Sequence, residues 1–283
     1  MKYVISGFAD EYASGFSEQL KGFNELNIQH LELRFADGVN VADLTDDKTE
    51  KIKALLKKAG IKVSAIGSPI GKISLNDDFD EHLKVAERIF KTAVKLNCKF
   101  VRIFAFYLNG RTRDESFVAV CERLTKLLEI ADKYALTLCL ENEAGVFNES
   151  PSDCLRLLER FNGKLRAVFD MGNFVLGGYE PYENAYPLLK RHIAYFHIKD
   201  ATKDGVIVPC GEGAADIERI LKDFKNYSDE NTVFVSLEPH LTDFKGLSAL
   251  TAHDLKKNTT FPDEKQAFIY AYTKLSEIIK GIK

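Results

Sequence analysis

The sequence lacks the cysteine spacings that disulfide frameworks and thiolate metal sites use. Its 283 residues include five cysteines, an odd number, and no two of them form a CxxC pair. A disulfide framework and a cysteine-rich zinc site are therefore both disfavoured. We expect reduced and mostly buried thiols.

Long apolar runs are also missing. The first residues, MKYVISGFADEY, contain one short apolar run that Gly7 and Asp10 interrupt, which is too short for the apolar core of a signal peptide. No other run approaches the roughly 20 apolar residues that cross a bilayer. These absences predict a cytoplasmic protein without a membrane partner.

An excess of basic residues is absent as well. The chain has 39 Lys and Arg against 42 Asp and Glu, a formal net charge of -3 and a pI near 6.1. A dedicated nucleic-acid binder normally carries a basic surplus. With 45% hydrophobic and 29% charged residues, the composition is that of a globular protein that binds a small molecule rather than nucleic acid.

What is present is a repeated alternation of short apolar or β-branched runs with longer segments of helical period. This alternation is typical of βα units. Eight such pairs without a linker fit a closed (β/α)₈ barrel better than an open doubly wound sheet. We therefore predict an α/β protein with a single TIM-barrel domain over residues 1–283. The predicted strands are Tyr3–Phe8, His30–Phe35, Lys62–Gly67, Phe100–Tyr107, Leu136–Glu141, Leu165–Asp170, Tyr195–Lys199 and Thr232–Pro239.

The predicted helices carry apolar residues at three- and four-residue steps, which places them on one face. This pattern is clearest in the fourth helix, for which Ser116 is the predicted N-cap. The fifth helix opens on Ser150–Asp153, and the second closes at Gly60. The other predicted helices, in order, are Phe16–Leu26, Thr45–Ala59, Asp80–Leu96, Ser152–Phe161, Tyr182–Arg191, Ala215–Phe224 and Asp263–Ile279.

One connection is unusually long. Roughly 20 residues, Leu241–Pro262, separate the last strand from the last helix, where 2–6 are usual. We expect this loop to shape the pocket or to reach a neighbouring subunit. In the second case the protein would be a homo-oligomer.

Four consecutive predicted strands end on side chains that can bind a metal: Glu141, Asp170, His197 and Glu238. A single strand-end carboxylate is more often a helix cap or a surface charge, and a single histidine is more often packed in the core. Four at equivalent positions are a different case, because the C-terminal strand ends of a barrel meet at its open face. Three carboxylates and one imidazole suit Mn²⁺, Mg²⁺ or Co²⁺, with Zn²⁺ as a further option.

Other polar residues are candidates for contacts with a substrate. Lys199 faces the same side of its strand as His197 and either reaches the substrate or pairs with Asp200. Arg102 is expected to point inward and to fix a carboxylate or phosphate. Glu143 and His240 each lie two positions beyond a predicted ligand and are expected at the pocket rim.

Two further features have mainly structural interpretations. Glu32 and Arg34 share one face of the second strand, and we expect them to pair with each other. The sequence GEG at residues 211–213 precedes a helix, but two glycines are a weak anion-binding motif, and a tight turn is favoured.

At these residues the chain resembles the sugar phosphate isomerase/epimerase family of the xylose isomerase-like barrel superfamily. The matching segments are LENE around Glu141, FDMGN around Asp170, FHIKD around His197 and SLEP around Glu238. Weaker matches are GFADE, LELR, IGSPIGK and VRIF. The resemblance runs from about residue 3 to the final helix and implies that the four residues hold one divalent ion.

The resemblance also implies a reaction. The ion would bind a carbonyl and a neighbouring hydroxyl oxygen, while Glu141 and Glu238 act as an acid/base pair on opposite faces of the sugar. Returning the α proton to the other face gives epimerisation, and returning it to the adjacent carbon gives isomerisation. The expected partner is a small-molecule carbohydrate.

One departure from the family pattern limits this reading. Ketose 3-epimerases of the superfamily have a histidine where this chain has Asn173, a candidate substrate residue whose amide can hydrogen-bond a hydroxyl but cannot titrate. Apurinic-site endonucleases of the superfamily need several histidine-held metals, which six histidines and no basic surplus do not fit.

An inosose-type dehydratase would abstract the same α proton and then expel a β-hydroxyl, so it remains the main alternative. A non-catalytic sugar-binding barrel is a third.

Overall fold

The computed structural model describes residues 1–244, 255–257 and 260–282. Its central element is a sheet of eight parallel strands with helices between them, which confirms the predicted (β/α)₈ TIM barrel. The strands are β1 (Lys2–Gly7), β2 (His30–Leu33), β3 (Lys62–Gly67), β4 (Phe100–Ile103), β5 (Thr137–Glu141), β6 (Leu165–Asp170), β7 (Ile193–Ile198) and β8 (Thr232–Leu237).

The strand order makes the sheet a nearly closed barrel. Neighbouring strands follow the order β1-β8-β7-β6-β5-β4-β3-β2, and the two end strands β1 and β2 contact each other. The parallel register places Asp170 opposite His197, and Ser236 opposite both Ser6 and His197. Because every strand runs the same way, the strand-end side chains meet at one mouth of the barrel.

The helices form the outer layer. They are α1 (Phe16–Glu25), α2 (Asp46–Ala59), α3 (Phe79–Lys95), α4 (Arg113–Lys133), α5 (Pro151–Phe161), α6 (Met171–Leu176), α7 (Tyr186–Leu189), α8 (Ile217–Tyr227) and α9 (Glu264–Gly281). Among the described helices, none is long and apolar enough to cross a membrane.

Capping residues define the helix ends. Gly60 ends α2 in the left-handed region, with φ at 71°, and Ser150 caps α5 through the backbone N–H of Asp153, both as predicted. The prediction that Ser116 caps α4 is wrong. The N-cap is Thr112, whose hydroxyl accepts from the N–H of Glu115 while the Glu115 carboxylate accepts from the N–H of Thr112, a capping box.

Several predicted elements differ in extent from those observed. The second and fourth strands end at Leu33 and Ile103, earlier than predicted, because the chain leaves the barrel there to form loops over its mouth. The predicted helix Tyr182–Arg191 is a π-helical turn, a short α7 and a 3₁₀ turn. Pro187 lies within this segment and cannot donate a helical hydrogen bond, which explains the interruption.

The core lies between the strands and the helices, and all five cysteines are buried. The inside of the barrel is more polar. Ser6 and Ser64 hydrogen-bond across it at 2.6 Å, and charged groups fill the mouth above them. The predicted loop Leu241–Pro262 lies mostly outside the described residues.

Candidate metal centre

The side chains that end β5, β6 and β7 and the residue that follows β8 converge at the mouth of the barrel. Glu141, Asp170, His197 and Glu238 are all buried, and each offers one ligand atom within 4.8 Å of the others. His197 Nδ1 lies 2.9 Å from Glu141 Oε1, 3.3 Å from Glu238 Oε2 and 3.9 Å from Asp170 Oδ2. The structure therefore brings together all four residues that the sequence analysis named as ligands.

Two carboxylate oxygens face the centre without a hydrogen bond. Asp170 Oδ2 and Glu238 Oε2 are buried, form no hydrogen bond with a described residue, and are approached only by the positively charged Lys199 and His197. The other oxygen of Asp170 accepts from the backbone N–H of Asn173 at 2.7 Å, at the start of α6. Burial raises the pKa of Asp170 to about 7, with Lys199 opposing the shift and Glu141 adding to it. Buried carboxylate oxygens that form no hydrogen bond and face only positive charges fit a cation at their centre.

Glu141 is held by an arginine on its outer side. Arg102 Nη1 donates to Glu141 Oε2 at 2.9 Å, and Arg102 Nη2 donates to the carbonyl of Ser68 at 3.2 Å. Burial raises the pKa of Glu141, but the positive charges of His197 and Arg102 outweigh it and lower that pKa to about 2. Glu141 is therefore a carboxylate whose inner oxygen, Oε1, faces the centre.

Glu238 has an equivalent partner. Arg34 Nη1 donates to Glu238 Oε1 at 2.7 Å, and the same guanidinium pairs with Asp10 and Glu11, both at 3.0 Å. Burial raises the pKa of Glu238, but Lys199 and other nearby positive charges hold it well below the usual value. Each of the two glutamates thus has one oxygen bound to an arginine on its outer side and the other oxygen turned toward His197 Nδ1 at the centre.

The expected pairing of Glu32 with Arg34 is wrong. Glu32 is buried beneath His197 inside the barrel, where its Oε2 lies 3.1 Å from His197 Nε2 and its Oε1 accepts from the hydroxyl of Tyr195 at 2.9 Å. Burial lowers the pKa of His197, but Glu141 and Glu32 raise it well above the usual value. A carboxylate on Nε2 leaves Nδ1 as the nitrogen that faces the centre.

Lys199 points into the centre rather than toward Asp200. Its Nζ lies 3.1 Å from Asp170 Oδ2 and 3.5 Å from Glu238 Oε2. Burial lowers the pKa of Lys199, but these carboxylates raise it above its usual value, so it is an ammonium. Gly172 makes room for this side chain, since a Cβ at that position would lie 2.7 Å from Lys199 Cγ.

Asp200 holds the loop that contains the GEG sequence. Its carboxylate accepts backbone N–H groups from Ala201, Gly211, Gly213 and Ala215 at 2.8–3.0 Å. The anion that the glycine loop binds is therefore a side chain of the protein itself.

The remaining predicted residues lie at the rim. Glu143 pairs with Lys72 at 2.8 Å, and Asn173 Nδ2 donates to the carbonyl of Asn142. His240 Nε2 lies 3.4 Å from Glu11 Oε1, beside Glu238. Glu11, Glu238 and His240 form a second cluster of acidic and histidine side chains. Arg34 already supplies the positive charge beside its two carboxylates.

A cavity of about 310 Å³ opens above the four converging residues. Seven of the nine predicted site residues line it, whereas Asp170 and His197 lie deeper. The seven are Arg102, Glu141, Glu143, Asn173, Lys199, Glu238 and His240. Its size is that of a pocket for one small molecule.

Sequence reasoning missed the residues that position the others. Arg34 fixes Glu238 and is itself held by Asp10 and Glu11, while Glu32 fixes His197. Asn142 bridges β5 and β6, because its side chain bonds both the N–H and the carbonyl of Asp170. The sequence signal for these residues was the presence of charged side chains at the ends of the first two predicted strands. Their neighbours in the sequence are apolar on both sides, which a surface location does not explain.

Comparison with known structures finds the same fold. The protein has the fold of the IolI protein determined with a zinc atom, with a TM-score of 0.75 at 17% identity, covering 100% of this chain and 99% of that one. It is also similar to D-psicose 3-epimerase from Clostridium cellulolyticum H10, determined with D-tagatose, with a TM-score of 0.73 at 15% identity over 100% of both chains. A third similar structure is described as the "probable 3-DHS dehydratase AsbF" of petrobactin synthesis in Bacillus anthracis, with a TM-score of 0.72 at 17% identity over 97% of this chain and 99% of that one.

At these identities the structural likeness establishes the fold alone. No curated protein matches the sequence. The family model for the xylose isomerase-like TIM barrel matches residues 23–252. With most of its length matched, the chain belongs to the xylose isomerase-like TIM barrel family.

Proposed function

We propose that this protein is a divalent-metal-dependent isomerase or epimerase of a small sugar, a ketose or a sugar phosphate. The observation that carries the proposal is the convergence of Glu141, Asp170, His197 and Glu238 within 4.8 Å at the barrel mouth. Strand-end residues at this face are where barrel enzymes place their chemistry.

The four residues fit a divalent ion as ligands. Three carboxylates and one imidazole nitrogen form an oxygen-rich set for Mn²⁺, Mg²⁺ or Co²⁺, and Zn²⁺ also accepts it. The buried oxygens Asp170 Oδ2 and Glu238 Oε2, which form no hydrogen bond with a described residue, are the acceptors that such an ion would satisfy. A bound ion would polarise a substrate carbonyl and lower the cost of the negative charge that proton loss creates.

Glu141 and Glu238 are the proposed acid/base pair. Arg102 and Arg34 fix their outer oxygens, so the inner oxygens Glu141 Oε1 and Glu238 Oε2 are the ones that can exchange a proton with substrate. Both pKa values lie below neutral, so both groups start as proton acceptors. One glutamate removes the proton α to the carbonyl and becomes protonated. If it returns that proton to the adjacent carbon, the reaction is an isomerisation, whereas epimerisation requires the opposite glutamate to take a proton from water and deliver it to the other face, after which the first glutamate loses its proton to water.

Lys199 supports the dehydratase alternative. Its ammonium group lies between Asp170 and Glu238 at the floor of the cavity and carries hydrogen-bond donors. Such a group is placed to stabilise a departing β-hydroxyl, a step that an epimerase does not need. A lyase would use the same proton abstraction by a glutamate.

The test combines metal analysis with proton exchange. Elemental analysis of the purified protein is expected to find about one divalent ion per chain. NMR in heavy water with a panel of ketoses, ketose phosphates, inososes and hydroxypyruvate then separates the reactions. Deuterium at the α carbon without loss of water indicates an isomerase or epimerase, whereas an enone product indicates a dehydratase.

Two variants make the test decisive. Glu238→Gln keeps the size of the side chain but removes the proton acceptor, so turnover is expected to fall by about 10³ or more while the fold is retained. Glu212→Gln, at an exposed residue that does not line the cavity, serves as the control. The proposal fails if the protein binds no metal and exchanges no proton, which is the behaviour of a non-catalytic sugar-binding barrel.

A further inference from the structure

A second cavity lies at the opposite end of the barrel, away from the metal centre. It has a volume of about 580 Å³ and is lined by the N-terminal ends of β2, β3 and β4, together with α2 and a residue of β8. None of the residues that form the metal centre line it. Its size is within the usual range for pockets that bind small molecules.

The floor of this cavity is apolar and aromatic. Phe234 and His30 lie with ring centroids 5.0 Å apart, and Phe100 stacks on Tyr195 at 5.8 Å. Phe100, Phe234 and His30 are only partly buried, so their rings are accessible from the cavity. Aromatic surfaces of this kind bind flat ring systems.

His30 adds an unsatisfied polar atom to the floor. Its Nδ1 is buried and has no hydrogen-bond partner in the part of the chain that the structure describes. Burial and the charge of Lys62 lower the pKa of His30, so the ring is neutral near pH 7. A neutral imidazole at the wall can donate to or accept from a ligand.

The rim carries four lysines. Lys53 and Lys57 lie one turn apart on α2, while Lys62 begins β3 and Lys99 precedes β4. None of the four has an ion pair with any described residue, and no described residue that lines the cavity is acidic. By contrast, the nearby Lys95 pairs with Asp46 at 3.0 Å.

We propose that this cavity binds a small amphipathic anion with a flat aromatic body and phosphate, sulfonate or carboxylate groups. The ring lies on the aromatic floor, and the negative groups meet the lysine rim. The like charges of the rim repel one another without a ligand, so an anion both gains attraction and relieves repulsion. This inference is independent of the proposed reaction at the metal centre.

The experiment uses the full-length protein and two fluorescent probes. 8-Anilinonaphthalene-1-sulfonate carries a ring system and a negative charge, while N-phenyl-1-naphthylamine has nearly the same rings without the charge. The test variant is K53E/K57E, and the matched control is K51E/K58E. Both pairs are exposed on the same helix and change the net charge equally, but only the first pair lines the cavity.

The expected result is saturable binding of about one sulfonate probe per wild-type chain. K53E/K57E should raise the Kd of that probe about tenfold or more, whereas K51E/K58E should change it by less than about twofold. The Kd of the neutral probe should stay within about twofold in both variants. Thermal unfolding of each variant checks that the fold is retained, and K53Q/K57Q provides a milder change if K53E/K57E unfolds.

Two results would overturn the inference. One is an equal loss of sulfonate binding in both lysine variants, which would indicate a general charge effect. The other is the absence of saturable binding to the wild-type protein. Metal content and turnover report separately on the proposed function and do not enter this test.

Discussion

The contact between Glu32 and His197 allows a sharp prediction about metal affinity. Glu32 is 1% exposed, accepts from the hydroxyl of Tyr195 at one oxygen and faces His197 Nε2 at 3.1 Å with the other. A carboxylate at this place favours the tautomer with the proton on Nε2, which leaves the Nδ1 lone pair for the centre. The change to test is Glu32→Gln.

The structure determines which way the new amide must turn. Tyr195 donates its hydroxyl proton, so the amide oxygen of the glutamine should take its place and the NH₂ group should face His197 Nε2. This arrangement favours the tautomer with the proton on Nδ1, pointing at the metal. Loss of such a partner commonly lowers metal affinity about 10- to 100-fold, which is about 1.4–2.8 kcal/mol.

The assay is a Mn²⁺ titration of the metal-free protein, followed by electron paramagnetic resonance or calorimetry. Glu143→Gln is the matched control, because it removes the same charge at the cavity rim but contacts Lys72 and none of the four ligands. Its affinity should stay within about twofold of the wild type. Equal affinities for Glu32→Gln and the wild type would refute the assignment of His197 Nδ1 as a ligand atom oriented by Glu32.

Three other changes test separate parts of the structure. Lys199→Met should destabilise the metal-free protein by about 3 kcal/mol, because it removes the ammonium group that lies 3.1 Å from the buried Asp170 carboxylate and 3.5 Å from the inner oxygen of Glu238. Saturating Mn²⁺ should reduce that loss in urea unfolding, and an equal loss with and without the ion would contradict the reasoning. His82 accepts from the N–H of Gly71 at 2.9 Å, and burial, helped by Arg123, lowers its pKa to about 4. Since the unfolded histidine takes up its proton near pH 6.5, the unfolded state binds more protons, and this contribution to stability is lost as the pH falls from about 6.5 to about 4. The slope should be up to about 1.4 kcal/mol per pH unit, and His82→Gln should remove it from denaturant titrations measured at several pH values. Finally, Gly213→Ala should cost about 2–3 kcal/mol, since the new Cβ would lie 2.2 Å from Asp200 Oδ1. Gly281→Ala has no atom within 4 Å of its Cβ and should be close to neutral in the same unfolding assay.

The barrel could be predicted from the sequence because its signals are local. Strand and helix periods recur within each βα unit, and a strand that ends on Glu141 or Asp170 already indicates which face of the barrel the side chain reaches. The parallel register then brings such ends together without further information. This explains why the four converging residues could be named before the structure was known.

Partners across the barrel could not be predicted in the same way. Glu32 and Arg34 face the same side of one strand, which suggested a pair, yet their partners come from β7, from the segment after β1 and from the end of β8. Side-chain period gives the direction of a residue but not its distance to residues on other strands. The partner of Lys199 was ambiguous for the same reason. Asp200 is adjacent in sequence, but its carboxylate accepts hydrogen bonds from the backbone of the glycine loop instead of pairing with Lys199.

The position of Arg34 has a consequence for the order in which the protein can be built. Its partner Glu238 is 204 residues later in the chain and follows β8, the neighbour of β1, whereas Arg34 follows β2 at the other end of the sheet order. Until β8 has been synthesised, Arg34 lacks its partner Glu238 and the centre lacks one of its three carboxylates. The chemistry of the site is therefore completed only when β8 joins the barrel between β1 and β7.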